Sequence, residues 1–278
     1  MITVVREPRV YLVGRPSIVK EGWKAFFDDE GVGVTIAGEQ VTDPPQAGEE
    51  APLHWETDTD NAAELLCMAA GKICYDAFGK GRSDTGEYLG HIIESKHGSV
   101  LEHAVWNFII AGVSRVFSHE HVRHRAGIAI SQRSQRYVSE SASGQALLPM
   151  IEANPEAKRV WEEAVAQSQG AYDKLVQLLA EDLREHLDKT LLVKTVRSAA
   201  RSVMPNSTET YLFWSANARA LRHYIEMRGS RDADIEIRKV AIQMLKIMQR
   251  EAPNLFGDYR LVDLPDDTQE AQTEHTKV

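Results

Sequence analysis

Short strand-like segments separated by long helical ones constrain the fold of this chain more than any other feature of its sequence. Residues 9–13, 104–111 and 210–216 are rich in β-branched and aromatic side chains and predict strands. Between the last two segments, residues 154–183 carry the longest run of apolar residues at helical spacing. Because strands and helices do not alternate in a regular βαβ order, we expect an α+β fold, a single domain with helices flanking a mostly antiparallel sheet.

Apolar spacing and end signals define the other predicted elements. The polar, proline-containing stretch at 42–52 predicts a loop, and the acidic stretch at 265–278 predicts a disordered tail. Ser114 can cap one predicted helix, and Gly229 can close another. The further predicted helices span residues 60–78, 85–97, 115–125, 192–203, 218–227 and 235–249.

Composition places the chain among ordinary globular proteins. Of its 278 residues 43% are hydrophobic and 26% are charged, which allows a full buried core. No run of about 18 apolar residues is present, and residues 1–6 lack the pattern of a secretory signal, so a cytoplasmic location is expected. Cys67 and Cys74 are the only cysteines and stand seven apart in a helical pattern. That spacing predicts two buried small side chains rather than a disulfide or a metal site.

Charge is unevenly distributed along the chain. The formal net charge is −9, which argues against non-specific binding of nucleic acid over the whole surface. Residues 115–136 nevertheless contain five arginines and a single acid, Glu120. We therefore expect an anionic ligand at this segment. An RNA-binding patch over 123–136 is the alternative, although only Tyr137 offers a ring there on which a base could stack.

The triplet Arg123-His124-Arg125 lies at the centre of this basic segment. Three consecutive helical residues fan over roughly 200° and cannot share a face, so they suit an anion bound at a helix end. Two guanidinium forks with an imidazole between them would match a pyrophosphate, and a solvated basic turn is the alternative interpretation. A metal site of His119, His121 and His124 is not expected, because residues two apart on a helix point roughly 200° away from each other.

The predicted helix at 218–227 carries a second set of polar residues. Its apolar stripe continues to Arg228, which predicts a guanidinium group at the end of a core-facing stripe. Such a group requires an anion or a polar acceptor, which either a ligand or an internal salt bridge to Glu236 could provide. Arg219 and His223 lie four apart and share another face of this helix.

Seven short motifs follow one another in a characteristic order. They are His97-Gly-Ser-Val-Leu-Glu-His103, Ser114-Arg115, Arg123-His124-Arg125, Ser131-Gln-Arg-Ser-Gln-Arg-Tyr137, residues 201–205, Asn217-Ala-Arg219, and Met227-Arg228 followed by Asp234-Ile-Glu-Ile-Arg238. In this order and spacing the motifs resemble those of the flavin-dependent thymidylate synthases. The resemblance extends from about Tyr88 to Tyr259, and we expect the family domain to occupy residues 1–264.

This resemblance implies a homotetramer that binds FAD at subunit junctions and dUMP against the flavin ring. It also implies that 5,10-methylenetetrahydrofolate donates the carbon, that NADPH reduces the flavin, and that dTMP is the product. The implied FAD contacts are His97, Ser99, Arg123, His124, Arg125, Gln132, Asn217, Arg219 and His223. The implied dUMP contacts are Glu120, Arg123, Ser134, Gln135, Arg136, Arg201 and Arg228.

Arg228 is the predicted catalytic residue. Uracil becomes a better carbon nucleophile when its N3 proton is lost or its O4 carries negative charge, and an arginine stabilises that anion in a dry pocket. Ser134 is the alternative nucleophile, but no base stands at a recognisable spacing from it, so a binding role is expected. A related flavin-dependent product, such as a hydroxymethyl pyrimidine nucleotide, and a non-enzymatic nucleic-acid-binding protein are the alternative functions.

Two positions depart from the family pattern. Eight residues, 126–133, separate the arginine triplet from Ser134, where the family signature has seven. An extra residue in a site displaces side chains, so either 126–130 forms a bulge or Gln132 and Ser134 are placed differently. Glu120 stands where the family often has glutamine, and an acid would be unusual beside a phosphate.

Overall fold

The fold is taken from a computed structural model that describes residues 2–43 and 53–278. Most of the loop predicted at 42–52 therefore lies outside the described residues. The elements up to residue 121 are β1 (Val4–Val5), β2 (Arg9–Gly14), α1 (Lys20–Asp29), β3 (Val32–Ile36), β4 (Glu39–Gln40), β5 (Leu53–Thr57), α2 (Ala62–Cys74), α3 (Thr85–Glu94), a 3-10 turn (Gly98–His103), β6 (Val105–Ser114) and α4 (Arg115–His121).

Long helices dominate the rest of the chain. Every predicted helix and strand is present, with ends that differ by a few residues. The elements are β7 (Ile128–Gln132), β8 (Gln145–Ala146), α5 (Pro149–Glu152), α6 (Pro155–Leu183), α7 (Lys189–Ala200), a 3-10 turn (Arg201–Val203), β9 (Glu209–Asn217), α8 (Ala218–Arg228), α9 (Ile235–Glu251), α10 (Pro253–Phe256), β10 (Arg260–Asp263) and β11 (Gln269–Gln272). None of the helices in the described ranges is both long and apolar enough to cross a membrane.

The largest sheet has four strands in the order β2-β6-β9-β7. Its two central strands run antiparallel: the amide of Ala218 donates to the carbonyl of Ala104 at 2.9 Å, and the amide of Arg115 donates to the carbonyl of Thr208 at 3.0 Å. β10 and β11 are also antiparallel, whereas β1 and β8 are parallel. The predicted α+β class with a mostly antiparallel sheet is confirmed.

A smaller sheet, ordered β4-β3-β5, was not predicted from the sequence. Its strands β3 and β5 are parallel, with Val34 opposite Trp55. Trp55 packs with Phe27 of α1 and with Phe78, and the three ring centroids lie 5.2 to 5.8 Å apart. All three rings are buried, so this aromatic cluster holds α1 against the small sheet.

The chain folds as two compact units, each of which combines segments that are distant in sequence. The first unit contains the chain up to Tyr11 together with Ile109–Arg125 and Ile130–Trp214, and the second contains Leu12–Phe108, Ala126–Ala129 and Ser215–Val278. Four of the boundaries fall inside strands β2, β6, β7 and β9 rather than in a linker. Each unit carries part of the predicted ligand-binding residues.

The stretch at 265–278 is ordered, so the prediction of a disordered tail is wrong. It contains β11, and the amide of Ala271 donates to the carbonyl of Gly229 at 2.8 Å. Glu270 accepts two hydrogen bonds from the guanidinium group of Arg231, at 2.5 and 2.9 Å. These bonds lower the pKa of Glu270 to about 2. The acidic composition of this stretch reflects pairing with arginine rather than solvation alone.

The two cysteines differ in burial, so the prediction of two buried cysteines is right for Cys67 and wrong for Cys74. Cys67 lies in the interior of α2, and burial raises the pKa of its thiol to about 12. Cys74 is the last residue of α2 and is exposed, because the helix ends there and its face leaves the core. Both thiols are free.

The double variant Cys67→Ala, Cys74→Ala is expected to fold and to keep the turnover of the natural chain. A thiol with a pKa of about 12 is protonated at neutral pH and is not a nucleophile. The measurement is steady-state turnover beside a thermal melt, with Cys74→Ala alone as the matched control for the exposed position. Loss of turnover in a double variant that melts cooperatively would contradict the assignment of Cys67 to the core.

Candidate active site

α4 is a short helix fixed at both ends by its own side chains. The Oγ of Ser114 caps it by accepting the amide hydrogen of Phe117 at 3.0 Å. At the other end His121 is buried, with its ring centroid 5.1 Å from that of Phe117 and 4.7 Å from that of Trp214. These ring contacts hold the helix end in place. The helix α4 ends at His121, four residues before the end that the sequence predicted.

The triplet Arg123-His124-Arg125 follows α4 as a turn. The amides of Arg123 and His124 donate to the carbonyls of Glu120 and His121, three residues earlier, at 3.2 Å each. Arg123 and Arg125 are exposed, whereas His124 and Glu120 are half-buried. Two guanidinium groups are thus presented just beyond the C-terminal end of α4.

The histidines of α4 point in different directions. His119 is exposed, whereas His121 is buried against aromatic rings. Over residues 2–43 and 53–278 no three His, Cys, Asp or Glu side chains converge in a way that could hold a metal ion.

The strand β7 keeps a regular register against β9. The amide of Asn217 donates to the carbonyl of Gly127, and the amide of Arg133 donates to the carbonyl of Tyr211, both at 3.0 Å. These two pairs are six residues apart on each strand, so no bulge lies between Gly127 and Arg133. Gly127 has a φ of 70°, and a Cβ there would lie 2.5 Å from the Nδ2 of Asn217. The turn before β7 therefore requires glycine.

The arginines of the motif at 131–137 divide between an internal ion pair and the surface. Arg133 donates to the Oγ of Ser143 at 3.0 Å and lies 3.7 Å from the carboxylate of Glu140, which is fully buried. Arg136 is exposed. Arg136 is therefore the guanidinium group of this motif that a ligand can reach. The pairing of Arg133 with Glu140 was not predicted, because Glu140 lies outside the recognisable motifs.

Three uncharged residues of the same motif are held in place by local hydrogen bonds or burial. The Oγ of Ser134 accepts the amide hydrogen of Arg136 at 3.3 Å, which uses this oxygen to close a turn. The Nε2 of Gln132 donates to the Oγ1 of Thr210 at 3.2 Å. Gln135 is buried. The amide of Arg136, which bonds to this oxygen, is not a base that could activate Ser134 as a nucleophile.

Arg115 and Arg201 form a second cationic group in the first unit. Both are half-buried, Arg115 in the first turn of α4 and Arg201 in the 3-10 turn after α7. Burial lowers the pKa of the Arg115 guanidinium, Glu140 opposes this, and the charge of Arg201 lowers it further. Two cations that repel each other in this way are stabilised by a bound anion. The resemblance assigned Arg201 to the nucleotide, but it assigned no ligand to Arg115.

The start of α8 lines a cavity of about 490 Å³ in the second unit. Asn217 caps the helix, its Oδ1 accepting the amide hydrogen of Ala220 at 2.8 Å. Arg219 donates from Nη1 to the carboxylate of Glu102 at 2.7 Å, and His223 lies one turn further along the exposed side. Asn217, Arg219 and His223 all line the cavity, whose volume is in the range of small-molecule sites.

His97 and Ser99 lie at the 3-10 turn beside α8. Both side chains are exposed, and the ring of His97 stacks on that of Tyr75 with centroids 6.4 Å apart. Gly98 stands between them, and a Cβ at this position would lie 2.8 Å from the Nε of Arg219. The missing side chain of Gly98 thus allows this turn to approach Arg219 closely.

The predicted apolar stripe of α8 is buried and Arg228 lies half-buried at its end, but the fully buried arginine of this helix is Arg222, which was not predicted. Arg228 is the last residue of the helix and is half-buried. Arg222 is only 2% exposed and forms a two-pronged ion pair with Asp258, at 2.6 and 2.7 Å. Its guanidinium group also lies 4.8 Å from the ring centroid of Tyr259. Arg222 can be buried because Asp258, 36 residues away in sequence, neutralises its charge.

The predicted ligand contacts separate into two sets, one in each compact unit. Both sets include guanidinium groups that reach the surface, which is typical of phosphate recognition. The first unit holds Glu120, Arg123, His124, Arg125, Gln132, Ser134, Gln135, Arg136 and Arg201. The second unit holds His97, Ser99, Asn217, Arg219, His223 and Arg228.

Comparison with known proteins identifies the family. The model of the family described as thymidylate synthase complementing protein matches residues 57–254, a range that contains every predicted ligand contact. The flavin-dependent thymidylate synthase of Mycolicibacterium vanbaalenii is 41% identical over 239 residues, covering 85% of this chain and 92% of the relative. The chain belongs to the flavin-dependent thymidylate synthase family. As a member of this family it is an enzyme, a methyltransferase.

Other relatives give the same result. The flavin-dependent thymidylate synthase of Corynebacterium glutamicum is 39% identical over 224 residues, covering 80% of this chain and 89% of the relative. A solved UMP/dUMP methylase from Streptomyces cacaoi, bound with 5-bromo-UMP, matches with a TM-score of 0.59 and 20% identity, covering 92% of this chain and 95% of that chain. At this identity the likeness shows the fold alone. This member of the flavin-dependent thymidylate synthase family therefore shares its fold with a nucleotide methylase.

Proposed function

We propose that the protein converts dUMP to dTMP by FAD-dependent reductive methylation, with 5,10-methylenetetrahydrofolate as carbon donor and NADPH as reductant. The observation that carries this proposal is the 39 to 42% identity to relatives named flavin-dependent thymidylate synthases over most of their length. The two sets of surface guanidinium groups support it, because FAD and dUMP both carry phosphate. The solved UMP/dUMP methylase, which has a similar fold, is bound with a uracil nucleotide analogue, and this also supports the proposal.

The test is the product formed by the purified protein. A mixture of FAD, NADPH, dUMP and 5,10-methylenetetrahydrofolate should yield a nucleotide heavier than dUMP by one methylene unit, measured by mass spectrometry. A product that retains an extra oxygen would support the hydroxymethyl alternative instead. A non-enzymatic nucleic-acid-binding protein would be colourless, would form no new nucleotide and would bind long polymers with a steep dependence on salt.

The residues present fit a flavin dinucleotide. Its diphosphate is anionic, and Arg123 and Arg125 present exposed guanidinium groups in the turn after α4. The cavity at α8 combines Asn217, Arg219 and His223 with apolar surface, as a cofactor site requires. FAD would be held by these residues and by His97, Ser99, His124 and Gln132. When bound, the flavin supplies the electron pair that turns the transferred one-carbon unit into a methyl group.

The nucleotide would be held mainly by the other arginines. Arg136 is exposed, and Arg201 shares its surroundings with the half-buried Arg115, so these cations suit the phosphate of dUMP. Arg123 would contribute to both ligands. Glu120, Ser134 and Gln135 would supply hydrogen bonds to the remaining polar atoms of the nucleotide.

Arg228 would act on the uracil ring. A permanently protonated guanidinium group at O4 would stabilise the negative charge that develops there as the N3 proton is lost, and it would thereby favour the form of the ring whose carbon can attack the one-carbon unit. Because Arg228 ends α8, its side chain is positioned by a helix rather than by a mobile loop. The contribution of this residue is therefore to hold charge at a defined atom, without itself gaining or losing a proton.

Arg123→Ala is expected to weaken FAD binding by tenfold or more, because charge-assisted hydrogen bonds to a diphosphate contribute roughly 1.5–3 kcal/mol each. The measurement is the dissociation constant from quenching of flavin fluorescence. Arg159→Ala is the matched control, since Arg159 is an exposed arginine of α6 that pairs with Glu156. An unchanged dissociation constant for Arg123→Ala would remove this residue from the cofactor site.

We further propose a homotetramer that acts in the cytoplasm. No contiguous segment carries enough ligand contacts to enclose FAD, and the first unit exposes apolar side chains on β6 and β9, namely Ile109, Tyr211 and Phe213. Residues 211 and 213 alternate along one strand and therefore share a face of the sheet. Exposed apolar faces of this kind commonly mark association surfaces.

The tetramer should be visible by light scattering of the natural chain, and Phe213→Lys should lower the measured mass. Met150→Lys is the matched control, because Met150 is an exposed apolar residue of α5 away from the sheet. A monomeric protein that still forms dTMP would refute the proposed assembly. An unchanged mass for Phe213→Lys would show that this sheet face is not part of the interface.

A further inference from the structure

The segment at 273–278 follows α8 closely and is tied to it along its length. Arg222 donates from Nη2 to the carbonyl of His275 at 3.4 Å, and the carboxylate of Glu226 accepts the amide hydrogen of Lys277 at 3.0 Å. Arg219 donates from Nε to the carbonyl of Val278 at 3.2 Å. The segment is therefore bonded to α8 at three positions, between Arg219 and Glu226.

The contacts to α8 use the backbone of the segment rather than its side chains. Lys277 is exposed, and only its amide takes part in the hydrogen bond to Glu226. His275, Lys277 and Val278 all line the cavity at the start of α8, beside Arg219 and His223. The fold thus adds a lysine to a cavity whose other proposed cofactor contacts come from α8 and the residue that caps it.

The charges that line this cavity explain why an added cation matters. Two carboxylates, of Glu102 and Glu226, face it, and Arg222 is already committed to Asp258. Arg219 is the remaining guanidinium group, and it is paired with Glu102 at 2.7 Å. Lys277 adds a second positive charge to the lining, which balances the two carboxylates together with Arg219, and its ammonium group is a possible donor to phosphate.

We propose that Lys277 is a further cofactor-binding residue, whose ammonium group contacts the phosphate-bearing part of the flavin dinucleotide. This inference rests on the proposed function, since it assumes that the cavity at α8 receives FAD. It lies beyond the family match, which ends at residue 254. The contact depends on the ordered course of 273–278, which composition alone would have assigned to a disordered tail.

The experiment compares FAD binding by the natural chain, Lys277→Ala and Lys277→Arg, using fluorescence quenching at low and moderate salt. We expect Lys277→Ala to raise the dissociation constant about tenfold at low salt and Lys277→Arg to restore most of the affinity. Riboflavin, which lacks phosphate, should bind the natural chain and Lys277→Ala equally well. Lys246→Ala removes an exposed lysine of α9 elsewhere in the second unit and serves as the charge-matched control.

The possible results separate the two proposals. In the first case the natural chain binds FAD, and Lys277→Ala binds it as tightly as the natural chain or as Lys246→Ala does. The inference about Lys277 is then wrong and the proposed function stands. If riboflavin binding falls as much as FAD binding, Lys277 acts on the shape of the cavity and the phosphate contact is refuted. If the natural chain binds no FAD, the proposed function itself fails.

Discussion

Arg228→Lys is expected to lower the kcat of dTMP formation by about 100-fold or more, the size of effect seen when a donor to a developing anion is lost. Lysine keeps the positive charge but loses the planar fork that can hold O4 of the uracil ring at a fixed geometry. Arg228 is half-buried at the end of α8, so the substitution leaves no large cavity in the core. We therefore expect the loss to appear in the chemical step rather than in folding.

The measurement is single-turnover oxidation of reduced flavin in the presence of saturating dUMP and 5,10-methylenetetrahydrofolate. Arg201→Lys is the matched comparison, and it should raise the KM for dUMP with a smaller change in kcat. A phosphate contact is about equally strong before and during the reaction, whereas a contact to developing charge strengthens as the reaction proceeds. Flavin reduction by NADPH should survive in both variants. If Arg228→Lys only weakens dUMP binding, Arg228 belongs with the phosphate contacts.

Asp258→Ala is expected to destabilise the fold by about 3–5 kcal/mol, the usual cost of removing one partner of a buried ion pair. The carboxylate of Asp258 accepts hydrogen bonds from both terminal nitrogens of Arg222. Arg222 also donates to the carbonyl of Leu255 at 2.6 Å. Without the carboxylate a guanidinium group that is 2% exposed would keep its charge with little water around it. The free energy of unfolding from a urea titration measures this loss.

Glu156→Ala is the control for Asp258→Ala, because it removes an exposed partner of Arg159 and should change the unfolding midpoint very little. An equal shift of the unfolding midpoint in the two variants would contradict the special role of the buried pair.

The dependence of stability on pH provides a second test of the Asp258–Arg222 pair. Burial raises the pKa of Asp258, but the hydrogen bonds and charge of Arg222 outweigh it and hold the pKa below the usual aspartate range.

The sign of this pKa shift fixes the expected pH dependence. Because the folded-state pKa of Asp258 is lowered, the stabilisation is fully present above the ordinary aspartate pKa of about 3.9. It should be lost as the pH falls through the lower folded-state value. The stability difference between the natural chain and Asp258→Ala should accordingly be constant near neutral pH and should shrink below about pH 4.

The sequence by itself determined the elements whose signals are local. Apolar residues at helical spacing predicted α6, α8 and α9, and the predicted cap Ser114 makes its hydrogen bond at the start of α4. The arginine triplet at a helix end also follows from local pattern. Short strands such as β3 and β5 escaped prediction, because they form part of a small sheet whose stability comes from partners elsewhere.

Only the tertiary structure decided which charged side chains are structural and which face a ligand. Arg222 is buried because Asp258 reaches it, and Arg133 turns inward because Glu140 is buried beside it. The stretch at 265–278 is ordered because its backbone bonds to Gly229 and Glu226. A helical pattern records which positions share a face, but the burial of a charge depends on an opposite charge brought close by the fold. Such partners are distant in sequence, so no local periodic pattern predicts them.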